Sequence, residues 1–166
     1  MIRQFLYRAL KVWVGIFFNL LNFLLVGNLP PFGCVSVVVE EQGRYLVIQR
    51  PEGYFVFPGG FMRWREHPEK TGLRECKEET GLQVQITGLI GCSSNVSNDI
   101  RGMSTLSVIF HATVVGGTLR GSIEGNPTWM DEAELHDKLF KQQTNILERY
   151  LARQHEKASD TVSPPS

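Results

Sequence analysis

The sequence predicts an α+β fold, a three-layer α/β/α sandwich in which helices cover both sides of a mixed β-sheet. One observation is a set of β-branched, strand-like runs on both sides of a single helical stretch at residues 68–80. A second observation is that the chain ends in two further helical stretches. We divide the chain into an apolar N-terminal helix (1–30), one folded domain (31–157) and a polar, proline-containing tail (158–166) that we predict to be disordered.

The composition limits the classes of partner. The chain has 166 residues, and its 17 basic and 17 acidic side chains give a formal net charge of +0. This balance provides no general attraction to nucleic acid, so we predict no nucleic-acid partner. The three cysteines, Cys34, Cys76 and Cys92, have no spacing typical of a disulfide framework or a zinc site. They indicate reduced thiols in the core of a cytoplasmic protein.

The first thirty residues differ in kind from the rest. Basic residues stand at Arg3, Arg8 and Lys11, and no further charged residue occurs before Glu40. The long apolar run in this segment is interrupted by polar residues and a glycine at steps of three and four. On a helix these positions form one narrow polar stripe along an apolar cylinder. The stripe consists of Gln4, Arg8, Lys11, Gly15, Asn19 and Asn22.

Three interpretations of this helix stay open. It could pack on its own domain or on a second subunit of a homodimer, it could lie on a membrane surface, or it could span a membrane. A span with its basic end inside would place the following domain outside the cytoplasm, away from nucleotides and reducing conditions. We therefore favour the first two interpretations, with the protein cytoplasmic or peripheral on the inner membrane face.

A new unit begins after Leu29–Pro31, because consecutive prolines resist helix continuation. Two β-branched runs at 34–41 and 44–50, joined by a short turn at Gln42–Gly43, predict an antiparallel pair. An extended piece follows at 54–57. The remaining elements come in chain order: the helix at 68–80 with Gly81 as its stop, strands at 82–91 and 104–115 separated by a polar loop at 92–102, and helices at 131–140 and 144–157.

The helix at 68–80 carries three carboxylates on one face. Glu75, Glu78 and Glu79 are related by steps of three and four residues, so their side chains converge, and each such pair opposes the helix by roughly 0.2–0.5 kcal/mol. A bound cation would remove this repulsion, and carboxylate oxygens suit Mg²⁺ or Mn²⁺. The preceding Pro58–Gly60 allows a tight loop that can approach a metal or a phosphate closely. The ordinary alternative is a solvated acidic helix face.

The spacing of glycines and charges around these carboxylates resembles the Nudix box, so we suspect a Nudix hydrolase. The matching positions are Gly60, Glu66, Arg74, Glu75, Glu78, Glu79 and Gly81, with Leu82 similar in type. The resemblance extends over about residues 33–140. It implies a Nudix-type sandwich fold and hydrolysis of a phosphoanhydride bond that depends on Mg²⁺ or Mn²⁺.

The resemblance also implies a role for each residue of the box. Glu78 and Glu79 would be metal ligands, and Glu75 would be a ligand or the base that activates water, so all three are candidate catalytic residues. The carbonyl group of Gly59 would be a further ligand. The structural residues would be Gly60, Gly81 and the ion pair of Glu66 with Arg74, which holds the loop against the helix.

A further acidic residue lies outside the box. Glu124 precedes Trp129 by five residues. It resembles the acidic residue that many family members carry before a tryptophan and a closing helix. The resemblance makes Glu124 an additional metal ligand, and the alternative is an ordinary loop glutamate.

Two segments are candidate substrate-binding elements. Arg63 and Arg65 flank Trp64 inside the box and could clamp a phosphate or stack on a base, the alternative being a solvent-facing loop. The segment 98–102, NDIRG, resembles a loop of some ADP-ribose pyrophosphatases of the family. Its matching positions are Asp99, Arg101 and Gly102.

These observations lead to one predicted function and three alternatives. We predict Mg²⁺- or Mn²⁺-dependent hydrolysis of the pyrophosphate bond of a small nucleotide substrate, a nucleoside diphosphate derivative such as ADP-ribose. The alternatives are pyrophosphohydrolysis of a nucleoside triphosphate, hydrolysis of a lipid-linked diphosphate, and a non-catalytic nucleotide-binding module tethered by its N-terminal helix. The glutamates of the box argue against the last, because a pure binder has no need to crowd carboxylates.

Overall fold

The computed structural model describes residues 2–162, which form four α-helices and seven β-strands. The helices are α1 (Ile2–Leu24), α2 (Pro68–Thr80), α3 (Glu132–Lys138) and α4 (Thr144–Val162), with a 3-10 turn at Lys141–Gln143. The strands are β1 (Phe32–Glu41), β2 (Arg44–Gln49), β3 (Phe55–Val56), β4 (Gly59–Phe61), β5 (Leu82–Asn95), β6 (Thr105–Gly117) and β7 (Asn126–Asp131).

All seven strands belong to one mixed sheet built around β1. Strand β1 runs parallel to β6 and antiparallel to β2 and β4. Strand β2 also pairs antiparallel with β3 and β7, and β6 pairs antiparallel with β5. The predicted β1–β2 hairpin is confirmed, and its turn residues Gln42 and Gly43 both have positive φ, 55° and 74°, as a two-residue type I′ turn requires.

Helices cover both faces of this sheet. On one face, Cys76 of α2 packs in a cluster with Val37 of β1. On the other face, Leu135 of α3 and Leu147 of α4 pack in a second cluster with Val38. Neighbouring residues of β1 thus enter different cores, because successive side chains of a strand point to opposite faces. The predicted α/β/α sandwich around a mixed sheet is confirmed.

Local sequence signals set the bounds of α2. Pro68 stands in its first turn, where a missing N–H breaks no helical hydrogen bond. Gly81 ends the helix in the left-handed conformation with a φ of 76°, and its N–H donates to the carbonyl of Lys77 at 3.1 Å. The predicted helix 68–80 and its glycine stop are confirmed.

Two of the predicted loops are wrong in part. Gly59 and Gly60 belong to strand β4 and pair with β1, because a glycine lets the two backbones approach: a Cβ on Gly59 would collide with the carbonyl oxygen of Val35. Strand β5 continues to Asn95 through pairing with β6, so the polar loop after it is shorter than predicted. Strand β7 lies in the stretch before α3 that the sequence left unassigned, and it is held by pairing with the distant β2.

The two ends of the chain contain further differences. Helix α4 continues to Val162, so residues 158–162 of the predicted disordered tail are helical, since the helix-breaking Pro164 and Pro165 come later. The rest of that tail, 163–166, lies outside the described residues. Of the three cysteines predicted to be core residues, only Cys76 is buried, whereas Cys34 is half-buried and Cys92 is exposed.

The predicted N-terminal helix extends from Ile2 to Leu24. Its Asn19 side chain donates hydrogen bonds to the carbonyl groups of Ile100 and Gly102, in the loop between β5 and β6. None of the described helices is both long enough and apolar enough to cross a membrane.

Replacing Gly81 by alanine tests the helix stop. The left-handed conformation costs an L-residue roughly 1–2 kcal/mol, and the new Cβ would also collide with the carbonyl oxygen of Thr118. We expect Gly81→Ala to lower the free energy of unfolding by about 2–4 kcal/mol in urea titrations. Gly43→Ala is the matched control, because Gly43 has a similar φ of 74° but open space around it. Equal losses in the two variants would contradict the collision.

Candidate active site

A cleft of about 480 Å³ lies beside the box residues. Gly59, Gly60 and Glu124 of the predicted site line it, together with Arg50. Glu75 approaches the same place from α2: a Cβ on Gly60 would lie 2.5–2.9 Å from its carboxylate atoms. The glycine therefore leaves the space that the carboxylate needs, which accounts for the predicted structural role of Gly60.

Arg74 connects the loop before α2 to the carboxylates on the helix. Its Nε and Nη2 donate to the two carboxylate oxygens of Glu66, both at 2.8 Å. Its Nη1 donates to Glu75 at 2.6 Å and to Glu78 at 3.2 Å, and Nη2 also donates to the carbonyl oxygen of Phe61 at 3.1 Å. All five N–H groups of the guanidinium are thus used. The structure contains the predicted pair of Glu66 with Arg74 and extends it to two further carboxylates.

These contacts change the ionisation of the groups involved. The hydrogen bonds from Arg74 hold the pKa of Glu66 far below its ordinary range, and they raise the pKa of Arg74. For Glu75, burial raises the pKa above its ordinary value, although the hydrogen bond from Arg74 works against this. A carboxylate that is desolvated in this way is stabilised by any additional positive charge nearby.

Glu79 is the most deeply buried carboxylate of the site, with 3% of its side chain exposed. Its Oε2 accepts a hydrogen bond from the backbone N–H of Gly59 at 2.9 Å, and its Oε1 pairs with Arg50 at 3.0 Å. Burial raises the pKa of Glu79 to about 7, and Glu124 and Glu75 add to this effect, against Arg50 and Gly59. Glu79 therefore lies where its charge is only partly compensated.

Arg50 joins Glu79 to Glu124 across the cleft. Its Nη1 donates to the carboxylate of Glu124 at 2.7 Å and to the carbonyl oxygen of the same residue at 3.1 Å. Burial works to lower the pKa of Arg50, but Glu79 and Glu124 raise it above its ordinary value. The structure thus brings Glu124, which lies 45 residues beyond Glu79 in the chain, to the box as the sequence predicted.

The arginine-rich loop of the box lies at the edge of the site. Arg63 donates from Nη2 to Glu78 at 3.1 Å, and both side chains are largely exposed. Trp64 is 92% exposed and Arg65 has a positive φ of 61°. Of these three predicted substrate-binding residues, Arg63 reaches a box carboxylate, and Trp64 presents its ring to solvent.

The structure does not bring Asp99 and Arg101 to the cleft. Neither belongs to the described residues that line it. The Asp99 carboxylate accepts from the backbone N–H of Arg101 at 3.0 Å, and the N–H of Gly102 donates to the Asp99 carbonyl at 3.0 Å. The carbonyls of the same turn accept from Asn19 of α1. The loop that contains these residues is therefore held against α1, and their predicted substrate contact has no support in this geometry.

The donor set fits a divalent cation in chemistry and in charge. The three guanidinium groups of Arg50, Arg63 and Arg74 face five carboxylates, which leaves two negative charges in excess. Among the described residues, however, no three Asp, Glu, His or Cys side chains are already gathered around one point. Each of the five carboxylates forms an ion pair with one of the three arginines instead. Oxygen ligands with excess negative charge suit Mg²⁺ or Mn²⁺, and the side chains of Glu75, Glu78, Glu79 and Glu124 would have to turn to hold it.

Arg50, Tyr54 and Phe140 are among the cleft residues that sequence reasoning missed. The rings of Tyr54 and Phe140 stack with centroids 4.6 Å apart and an interplanar angle of 29°. They are distant in the chain, so no local pattern could pair them. Arg50 did leave a signal, because it is a charged residue directly after the apolar strand β2.

Comparison with known proteins places this site in a family. A family profile described as "NUDIX domain" matches residues 29–151. A protein named ADP-ribose pyrophosphatase from Methanocaldococcus jannaschii is 35% identical over 132 residues, which cover 74% of this chain and 75% of that protein. A MutT-like protein from Streptomyces ambofaciens is 34% identical over 115 residues, 66% of this chain and 71% of that protein.

Solved structures show the same fold. The NUDIX hydrolase from Nitrosomonas europaea superposes with a TM-score of 0.66 at 23% identity, covering 74% of this chain and 90% of that one. A UDP-X diphosphatase superposes with a TM-score of 0.65 at 16% identity, covering 77% and 65%.

The chain belongs to the Nudix family of hydrolases, whose members generally use divalent metal ions. It is a pyrophosphohydrolase of that family, as the box predicted.

The buried carboxylate of Glu79 predicts a pH-dependent stability in the absence of divalent ions. Because its pKa in the folded state, about 7, lies above the ordinary value of 4.5, the folded state binds the extra proton between these values. Its contribution to stability is therefore lost as the pH rises through 7. In chelator, we expect the free energy of unfolding to fall by on the order of 2 kcal/mol between about pH 5 and about pH 8.

Glu79→Gln isolates this effect, since an amide keeps an acceptor for the Gly59 N–H but does not titrate. Urea unfolding at several pH values should give a flatter profile for the variant than for the wild type. Parallel profiles would show that Glu79 keeps an ordinary pKa in the folded protein.

Proposed function

We propose that this enzyme hydrolyses the pyrophosphate bond of a nucleoside diphosphate derivative, with ADP-ribose as the first candidate and Mg²⁺ or Mn²⁺ as the cofactor. The observation that carries the proposal is that Arg50, at the cleft, joins Glu79 of α2 to Glu124. On the same helix, Arg74 joins Glu75 to Glu78. The relative named ADP-ribose pyrophosphatase, 35% identical to this chain, supports the choice of substrate.

The chemistry follows from the charges of the site. A diphosphate is an anion, and the crowded carboxylates repel it unless a cation lies between them. A divalent cation bound there would neutralise the phosphate oxygens and lower the pKa of an attacking water. The residues of the chain supply ligands and a base: Glu78 and Glu79 as ligands, Glu124 as a ligand from the opposite side, and Glu75 as a ligand or as the acceptor of the water proton.

Arg50 has a second role in this proposal. In the structure it neutralises Glu79 and Glu124 together. If a cation held these two carboxylates, the guanidinium of Arg50 would be free beside the cleft to donate two parallel hydrogen bonds to a phosphate group. The same residue would thus compensate the carboxylates before binding and contact the substrate afterwards.

The aromatic pair at the cleft supports a nucleotide substrate. Tyr54 and Phe140 stack on each other at the cleft wall, and a stacked ring can extend its stack to a base. Polar residues also line the cleft, among them Ser93, Asn95 and Ser107. A base stacked on the aromatic pair would leave the ribose and the diphosphate to bind along the rest of the cleft, which Arg50 and Glu124 also line.

A substrate panel tests the proposal directly. ADP-ribose, other nucleoside diphosphate derivatives and nucleoside triphosphates would be incubated with Mg²⁺ or Mn²⁺, and the products separated by chromatography. We expect AMP and ribose 5-phosphate from ADP-ribose. Turnover of triphosphates alone would overturn the substrate assignment and leave the enzyme class standing.

Removing one negative charge from the predicted metal site should abolish activity without unfolding the protein. We expect Glu78→Gln to lower kcat by about 100-fold or more, because a ligand of the cation is lost. Calorimetric titration with Mn²⁺ should show weaker binding in the same variant. Glu134→Gln is the matched control: Glu134 is an exposed glutamate of α3 paired only with Lys138 among the ion pairs of the described residues. Wild-type turnover by Glu78→Gln would contradict the assignment.

Removing the aromatic surface should affect binding of the substrate more than the chemical step. Base stacking contributes roughly 1–3 kcal/mol, so we expect Tyr54→Ala to raise KM for ADP-ribose by about tenfold with a small change in kcat. Tyr54→Phe keeps the ring and should behave like the wild type. An unchanged KM in Tyr54→Ala would mean that the base binds elsewhere.

A further inference from the structure

Helix α1 is attached to the domain by its polar side. Asn19 Nδ2 donates to the carbonyl oxygens of Ile100 at 2.9 Å and Gly102 at 2.7 Å. Asn22 Oδ1 accepts from the backbone N–H of Leu29 at 3.0 Å, within the turn that leads to β1. Gly15 is buried, and a Cβ at this position would collide with the carbonyl oxygen of Arg101. The middle of the polar stripe thus faces the protein.

The opposite side of the same helix is apolar and exposed. Six large side chains recur along it at alternating steps of four and three residues, so they share one face. We call them the outer apolar face: Leu6, Leu10, Trp13, Phe17, Leu20 and Leu24, which are 54–75% exposed. An amphipathic helix of a globular protein normally buries such a face and exposes its polar stripe. Here the orientation is the reverse, so the outer apolar face needs a partner outside the domain.

The width of this face favours a lipid surface over a second helix. Val12 and Phe23 flank it and are also exposed, at 39% and 81%. With 100° per residue, the exposed apolar arc from Leu10 to Val12 spans about 160°. A helix pair uses a narrow apolar seam bordered by charged positions. The arc is wider than such a seam, and the residues at its borders are basic: Arg3 lies about 20° beyond Leu10 and Arg8 about 40° beyond Val12. A broad apolar face bordered by basic residues is the pattern of a helix lying in the plane of a membrane interface.

The charge of the segment indicates which lipids it would meet. Residues 1–39 contain Arg3, Arg8 and Lys11 but no aspartate or glutamate. Basic residues next to a membrane surface are attracted to anionic headgroups. Trp13, which is 69% exposed in the middle of the outer apolar face, is a residue type that favours the boundary between water and hydrocarbon. We propose that α1 docks the protein on the surface of an anionic lipid bilayer through its outer apolar face, with the domain on the water side.

The proposal is tested by co-sedimentation of the full chain with vesicles. Phosphatidylcholine vesicles containing about one third phosphatidylglycerol should pellet the protein, and pure phosphatidylcholine vesicles should pellet clearly less of it. The double variant Trp13→Glu with Phe17→Glu should lower the partition coefficient by about tenfold or more, because two apolar anchors are lost. The matched control is Val115→Glu with Leu119→Glu. It makes the same change in charge at two exposed apolar positions near the C-terminal end of β6, outside α1.

The outcomes separate the possible partners of this face. Near-UV circular dichroism checks that each variant keeps its fold, and Trp13→Ser with Phe17→Ser replaces the glutamate variant if that one fails to fold. Exchange of Arg3, Arg8 and Lys11 for glutamine should remove most of the preference for anionic vesicles. Three results would overturn the proposal: no pelleting with either vesicle, equal losses in the control variant, or a stable dimer in sedimentation velocity that the Trp13 and Phe17 changes dissociate.

Discussion

The arrangement of the cleft depends on the guanidinium group of Arg74. It is largely buried, it uses all five of its N–H groups, and it binds three carboxylates and one backbone carbonyl. Glu66 fixes the loop before α2, whereas Glu75 and Glu78 belong to the helix itself. Without this cation, three carboxylates would stand together with little compensation, and leaving one partner of a buried ion pair unpaired costs several kcal/mol. The loop and the helix therefore adopt their relative positions only as one charged unit.

The arginines compensate the carboxylates only in part, and the uncompensated negative charge lies at the proposed catalytic glutamates. Arg74 satisfies the side of the helix that faces the loop, but Glu79 depends on Arg50 and on one backbone N–H. Burial raises the pKa of both Glu75 and Glu79. Replacing buried charges by hydrophobic side chains of similar volume is often neutral or stabilising, so a stable fold does not by itself require carboxylates in this place. The crowding of carboxylates fits the proposed function, in which a cation would hold them.

The sequence predicted those parts of the fold that local rules control. Pro68 and Gly81 set the ends of α2, and the β-branched runs on either side of Gln42–Gly43 predicted the antiparallel pair of β1 and β2. Strand β7 was not predicted, because residues 126–131 become a strand only by pairing with β2, some eighty residues earlier in the chain. The site divides in the same way. Spacing along one helix revealed the glutamates, whereas the ring stack at the cleft joins two distant segments that no local pattern connects.

Helix α1 shows a limit of a different kind. Periodicity identified its polar stripe, but periodicity cannot say which side of a helix meets the domain. The structure decides this through backbone groups: the loop carbonyls of Ile100 and Gly102 need donors, and the amide of Asn19 supplies them. Turning the apolar side inward would leave those carbonyls to water and offer them no partner on the helix. The hydrogen-bonding needs of one loop thus orient the helix, and that orientation exposes an apolar surface that water alone does not stabilise.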